Sequence, residues 1–226
     1  MDKIVMAKRA ASEKAAQYVR DGMVVGLGTG STAYWAIQKL GEMTKNGLQI
    51  KAVATSNQSE ALAKELQIPL IAFTDIDGID VTIDGADEVD DEWNLIKGGG
   101  GALLREKIIA SASKELIVVA DEGKKVEQLG KFHLPVEIVQ FGYELTLRKL
   151  ASYGCIPHLR MSGEKRFITD NGNFIVDCEF GRIEQPSELH VALNMIPGVV
   201  ENGLFIHLAT KVIVGFGDGS VRELGR

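Results

Sequence analysis

Between residue 1 and about residue 120, short apolar runs alternate with amphipathic segments, and this alternation restricts the possible folds severely. Ile4, Ala7, Ala11, Ala15 and either Tyr18 or Val19 recur at helical spacing, so an amphipathic helix is expected at the start. Residues 23–27 form an apolar run that enters a glycine-rich turn, and 31–43 carries the pattern of a following helix. A second strand is expected at 50–54, after which Thr55 and Gln58 form a capping-box pattern opening a helix through residue 66. Strands at 69–73 and 79–83, a helix at 102–113 behind a glycine run, and a strand at 116–120 complete the series. Strands that are apolar on both faces and separated by helices predict a doubly wound, mostly parallel, Rossmann-like α/β sheet.

From about residue 132 the pattern changes. It predicts a strand at 136–139, a helix at 143–153, and strands at 156–161 and 166–169. Asn171-Gly172 is a two-residue hairpin signal leading into a strand at 174–179. Pro186 opens a helix through 195, and 199–201 reads as a last strand. With one of the hairpins set aside, the order is β-α-β-β-α-β, the plan of a ferredoxin-like α+β domain. Runs at 205–208 and 212–216 are expected to rejoin the first sheet. Residues 1–131 plus 203–226 are therefore expected to form a Rossmann-like catalytic domain, with 132–202 inserted as a smaller ferredoxin-like one.

Composition narrows the class of function. With 45% hydrophobic and 25% charged residues, the chain has the balance of a folded globular protein. Twenty-five Lys and Arg stand against 31 Asp and Glu, a net charge of −6 with no basic cluster, which speaks against a nucleic-acid partner. No run approaches 18 apolar residues, so no membrane span is expected. The charged start, MDKIVMAKRAASEKAA, lacks the apolar core of a signal peptide, and a cytoplasmic protein is expected. Cys155 and Cys178 are too few and too far apart for a disulfide framework or a zinc site and read as small core residues. The histidines at 133, 158, 190 and 207 fall outside every motif.

Four loops hold the candidate chemistry. In the first, Gly26, Gly28 and Gly30 precede Ser31 and Thr32 at a strand-to-helix turn. Backbone N–H groups at a helix start, with the hydroxyls of Thr29, Ser31 and Thr32, make an anion cradle. Neither the glycine spacing of a dinucleotide site nor the lysine of a P-loop is present, so a phosphate fits better than a dinucleotide; a tight turn with a Ser/Thr cap is the plain alternative. In the second, Asp84-Gly85-Ala86-Asp87-Glu88 places two carboxylates three residues apart after a strand. They suit contacts to sugar hydroxyls or proton transfer, and equally turn-making and helix capping. The third is Lys97 followed by Gly98, Gly99, Gly100 and Gly101, a run whose entropy cost is hard to justify unless backbone must approach a ligand. In the fourth, Glu106 shares a helical stripe with Ala102, Leu103, Ile109 and Ala110. Desolvation there would raise its pKa and suit it to act as a general base; a solvated Glu beside Arg105 or Lys107 is the alternative.

In this order and spacing, GLGTGST, TIDGADEVD, LIKGGGGALLREKI and VADEGK resemble the A-type ribose-5-phosphate isomerases, and the resemblance extends over the whole chain. It implies an aldose–ketose isomerase that interconverts D-ribose 5-phosphate and D-ribulose 5-phosphate through a cis-enediolate in the non-oxidative pentose phosphate pathway. No cofactor and no metal are implied. By motif, Glu106 matches the proton-transfer base, and Asp84 and Asp87 the acids that contact sugar hydroxyls and assist ring opening. Lys97 and the amides of Gly98, Gly99 and Gly100 match the loop that binds substrate and stabilises enediolate charge. The turn Thr29, Gly30, Ser31 and Thr32 matches the sugar-phosphate binding segment, with Gly85 and Ala86 in the acidic loop. Lys124 and Lys8 match further substrate contacts. A homodimer or tetramer is implied as well. Rival readings are a glucosamine-6-phosphate deaminase relative, a non-catalytic sugar-phosphate sensor and a nicotinamide dehydrogenase.

Overall fold

The computed structural model describes residues 2–225. In chain order it contains α1 (Lys3–Ala16), β1 (Val24–Leu27), α2 (Ala33–Lys45), β2 (Lys51–Ala54), α3 (Asn57–Glu65) and β3 (Ile79–Gly85). Next come β4 (Glu88–Val89), β5 (Leu95–Ile96), α4 (Leu103–Ser111), β6 (Ser113–Asp121), β7 (Leu134–Ile138) and α5 (Tyr143–Ala151). The remainder is β8 (Ile156–Leu159), β9 (Met161–Ser162), β10 (Lys165–Arg166), β11 (Phe174–Glu179), α6 (Pro186–Asn194), β12 (Val199–Asn202), β13 (Leu204–Phe205), β14 (Lys211–Gly215) and β15 (Val221–Gly225). Two compact units result: Met1–Ala86 with Arg105–Lys125 and Leu208–Arg226, and Asp87–Leu104 with Val126–His207.

The first unit is a six-stranded sheet in the order β15-β14-β6-β3-β1-β2. All neighbours are parallel except the hairpin of β14 with β15, so the parallel α/β sheet expected from the sequence is present. Its core is aliphatic: Val25, Leu27, Val81, Ile83, Ile117, Val119 and Ile213 pack with Leu40, Ile37 and the alanines of α1. Ala7, Ala11 and Ala15 are buried whereas Ile4, expected on the same stripe, is exposed. Small residues are needed there because α1 presses on the sheet: a Cβ on Gly215 of β14 would lie 1.9 Å from the Ala7 carbonyl oxygen.

The second unit has a four-stranded antiparallel sheet, β12-β7-β11-β8, with α5 between β7 and β8 in sequence and α6 between β11 and β12. It also holds a three-stranded ribbon, β13-β5-β4, and the pair β10-β9. Its core gathers Leu134, Val136, Ile138, Phe174, Val176, Leu150 and Leu193, and Cys155 and Cys178 are buried in it as free thiols. This unit takes in Asp87–Leu104, which contains β4 and β5, in addition to the 132–202 segment read from the sequence.

Several local expectations fail for identifiable reasons. Residues 69–73 form no strand; a single bridge of Leu70 to Ala52 precedes a 3-10 turn at Phe73–Asp75. Asn171-Gly172 does turn the chain, but β10 pairs with β9 and β11 pairs with β7 and β8, so no hairpin joins β10 to β11. The run at 205–208 does not rejoin the first sheet; Leu204 and Phe205 pair with Ile96 and Leu95. The cap of α3 is Ser56, whose hydroxyl accepts from Ser59 N, while Thr55 donates its hydroxyl to the Leu27 carbonyl at 3.0 Å.

Candidate active site

In the first unit β1, β2, β3, β6 and β14 are parallel, so the loops after them leave from one edge of the sheet. The chain passes from β1 to β2 on one side of β1 and then crosses back from β2 to β3 on its other side, the switch of strand order beside which open parallel sheets bind ligands. The turn after β1 and Asp84 near the end of β3 lie at that switch. A cavity of about 550 Å³ lined by Val24, Lys51, Asp80 and Lys114 sits at the opposite, strand-starting edge and contains none of the predicted residues.

Asp84 is buried, 1% exposed, and its Oδ1 accepts from Thr29 N at 3.0 Å and Gly85 N at 2.8 Å. The β1 turn is thus held against the carboxylate by backbone. Thr29 turns its hydroxyl inward: Oγ1 shares hydrogen bonds with the hydroxyls of Thr55 (2.7 Å) and Ser56 (2.8 Å). These bonds fix the turn. Gly30 and Ser31 are exposed and Thr32 half-buried; Gly30 has φ +97°, a conformation that favours glycine. Lys8 on α1 donates to Ser31 Oγ at 3.0 Å, so the structure brings these two predicted contacts together. The exposed part of the turn therefore offers the start of α2, a hydroxyl and an ammonium to an anion.

Glu106 lies in the first turn of α4 and is 4% exposed, which removes the solvated alternative. Ala102, Leu103, Ile109 and Ala110 are buried as well. Gly26 has a packing reason: a Cβ there would lie 1.9 Å from Thr82 Oγ1 and 2.9 Å from Ile109 Cγ2 of α4. Lys124 is half-buried in a 3-10 turn after β6, at the edge that carries the other loops of this unit; Asp121 caps that turn by accepting from Gly123 N at 3.1 Å.

In the second unit, Asp87 precedes β4, and its Oδ2 accepts from Gly99 N at 2.7 Å. Two predicted elements, the acidic loop and the glycine loop, meet in that bond. Lys97 is 2% exposed; its backbone N donates to the Gly203 carbonyl at 2.9 Å and its Nζ stands 5.4 Å from the Phe205 ring centroid. Gly98 is buried while Gly99 and Gly100 are exposed. Glu88 proves structural: its carboxylate accepts from Gly130 N at 2.7 Å and Phe132 N at 2.6 Å. The hydroxyl cluster of Thr55, Ser56 and Ser59 behind Thr29 carried no signal in the sequence beyond the cap of α3. Among the described residues no group of three or more His, Cys, Asp or Glu is placed to hold a metal ion, and no helix is long and apolar enough to cross a membrane.

Known proteins of one family share the sequence and the fold of this chain. The family model for ribose 5-phosphate isomerase A (phosphoriboisomerase A) matches residues 51–219. A ribose-5-phosphate isomerase A from Bacillus mycoides is 56% identical over 213 residues, covering 94% of this chain and 96% of the relative. One from Bacillus cereus is 55% identical over 218 residues, covering 96% and 99%. Among solved structures, a D-ribose-5-phosphate isomerase in complex with phospho-erythronic acid superposes with a TM-score of 0.93 at 44% identity, covering 97% of both chains. The ribose 5-phosphate isomerase of Plasmodium falciparum gives a TM-score of 0.94 at 38% identity, again over 97% of both. The chain belongs to the ribose 5-phosphate isomerase A family.

Proposed function

We propose that this protein interconverts D-ribose 5-phosphate and D-ribulose 5-phosphate, a step of the non-oxidative pentose phosphate pathway. The observation that carries the reading is the buried Glu106 on α4, in a chain that matches ribose-5-phosphate isomerase A over 94% of its length.

The chemistry assigns each residue a task. In the open-chain aldose, Glu106 removes the proton from C2 while the C1 carbonyl gathers negative charge, giving a cis-enediolate. The O2 proton passes to O1, and protonated Glu106 returns hydrogen to C1, leaving a C2 ketone. A positioned base contributes about 10²–10⁴-fold to such a step. Lys97 and the amides of the glycine loop stabilise the developing charge, where one donor is worth roughly 10²–10³-fold. Asp84 and Asp87 bind sugar hydroxyls and assist ring opening and transfer between oxygens. The 29–32 turn with Lys8 takes the sugar phosphate, and Lys124 is a further contact. The related isomerase that holds phospho-erythronic acid supports this scheme, since a planar carboxylate shares the geometry of an enediolate.

The β7-α5-β8-β11-α6-β12 order supports a ferredoxin-like plan for the second unit. A cytoplasmic homodimer or tetramer accompanies the proposal; light scattering on the purified protein tests the assembly.

A substrate panel tests the function. Ribose 5-phosphate, ribose and glucosamine 6-phosphate are each incubated with the protein in EDTA. Ketose from ribose 5-phosphate alone is expected. Ammonia from glucosamine 6-phosphate, with no ketose from ribose 5-phosphate, would replace the reading with the deaminase.

A further inference from the structure

We infer that Arg160 and Asp177 are positioning residues that hold the glycine loop at 98–101 and, through it, the Asp87 carboxylate; the functional part of this inference rests on the activity proposed above. Four glycines in succession have no side chains to anchor them, and ordering such a segment has a large entropic cost. Something outside the loop must fix it.

Arg160 does so from the end of β8. Its Nη1 donates to the Gly98 carbonyl at 2.9 Å and to the Gly99 carbonyl at 3.2 Å. The rest of the guanidinium is taken by Asp177 of β11, with Nε donating to Oδ2 at 2.8 Å and Nη2 donating to Oδ1. The side chains are 14% and 22% exposed, so this two-pronged pair is largely withdrawn from water, unlike a surface ion pair. Backbone places it: Arg160 N donates to the Ile175 carbonyl at 2.8 Å.

The peptide between Gly98 and Gly99 is held at both ends. Its carbonyl accepts from Arg160, and its N–H donates to Asp87 Oδ2 at 2.7 Å. A cation on the carbonyl polarises the amide and strengthens the N–H as a donor. Asp177, Arg160, this peptide and Asp87 thus form one continuous chain of hydrogen bonds within the second unit. Phe167 closes the far side. Its N donates to the Arg160 carbonyl at 2.9 Å, its ring centroid lies 5.7 Å from Arg160 Cζ, and a Cβ on Gly101 would come 2.4 Å from its Cζ. Only a planar fork can serve Asp177 and two carbonyls together; a lysine brings a single point charge.

The test uses full-length Arg160→Ala, Arg160→Lys and Asp177→Asn, with kcat and KM for ribose 5-phosphate and [15N]glycine amide spectra. A loop misplaced by about 1 Å costs on the order of 10²-fold in rate. The expected result for Arg160→Ala is a kcat lowered about 10²-fold, KM changed much less, and partial recovery of kcat with millimolar guanidinium. The Gly99 amide should shift upfield and exchange faster, while Gly28 in the first unit stays at its wild-type shift. If Arg160→Ala does not fold, Arg160→Lys and Asp177→Asn carry the same comparison. A wild-type Gly99 amide in the folded variants overturns the inference, and so does a wild-type kcat beside a shifted amide. A wild-type protein with no isomerase activity refutes the proposed function instead, and the amide spectra alone then decide whether Arg160 holds the loop.

Discussion

A Cβ on Gly28 would lie 2.3 Å from Oδ1 of Asp84 and 2.6 Å from its Cα, so the turn after β1 rests directly on the buried carboxylate at the end of β3. The contact is backbone against backbone as well as against a side chain, so it cannot relax by a rotamer change. Gly28 is required by this close approach.

Gly28→Ala should therefore displace Asp84 or the turn. Overpacking of this kind costs about 1–3 kcal/mol in stability, and the displaced carboxylate should lower kcat more than tenfold. Thermal melting and steady-state kinetics on one preparation check it; a wild-type kcat would mean that Asp84 can move without consequence.

Glu106→Gln keeps the shape of the side chain and removes the base. Turnover should fall by about 10²–10⁴-fold while binding of an unreactive sugar phosphate stays within a few-fold of wild type. Calorimetric titration beside the rate assay separates the two. Parallel loss of binding and rate would make Glu106 a binding or structural group.

Asp84→Asn and Asp87→Asn should each lower turnover with the fold retained, because an amide oxygen can still accept from Thr29 N or Gly99 N at the distances of 3.0 Å and 2.7 Å found for the carboxylates. Circular dichroism and kcat are the measurements. Full activity in both variants would remove the acids from the mechanism.

The acid limb of stability should depend on Asp80, remote from these loops. Its Oδ1 accepts from Lys114 Nζ at 2.7 Å and its Oδ2 from Val24 N at 2.8 Å. The Lys114 ammonium first, and the Val24 amide second, hold its carboxyl below the ordinary aspartate range. A lowered folded pKa contributes stability that is complete above the unfolded value of about 4 and is lost as pH falls through the folded one. The melting-temperature gap between wild type and Asp80→Asn should be constant from about pH 5 upward and close below about pH 4. A gap that stays constant to the acid end would contradict this assignment.

The parallel sheet was legible because each of its main strands is a buried aliphatic run closed by a glycine or acidic turn, as at Leu27 and Ile83. Glu106 was legible as a helical position whose neighbours on the stripe are all small or apolar. Pairing was less legible. Leu204-Phe205 is apolar enough for either sheet, and only the partners at Ile96 and Leu95 decide. Strands of two residues, such as β4 and β5, leave no periodicity to read. The inward hydrogen bonds of the Thr29 hydroxyl left no trace in the sequence, because its partners Thr55 and Ser56 come from the turn after another strand. Arg160 left no local trace because its partners Gly98 and Gly99 are about sixty residues away.

Proton NMR of ribose 5-phosphate with the purified protein in D₂O containing EDTA tests the central claim most directly. Ribulose 5-phosphate should appear with solvent deuterium at the exchanging carbon, and both product and label should form about 10²–10⁴-fold more slowly with Glu106→Gln. Unchanged ribose 5-phosphate after long incubation with folded wild-type protein would contradict the proposed isomerisation.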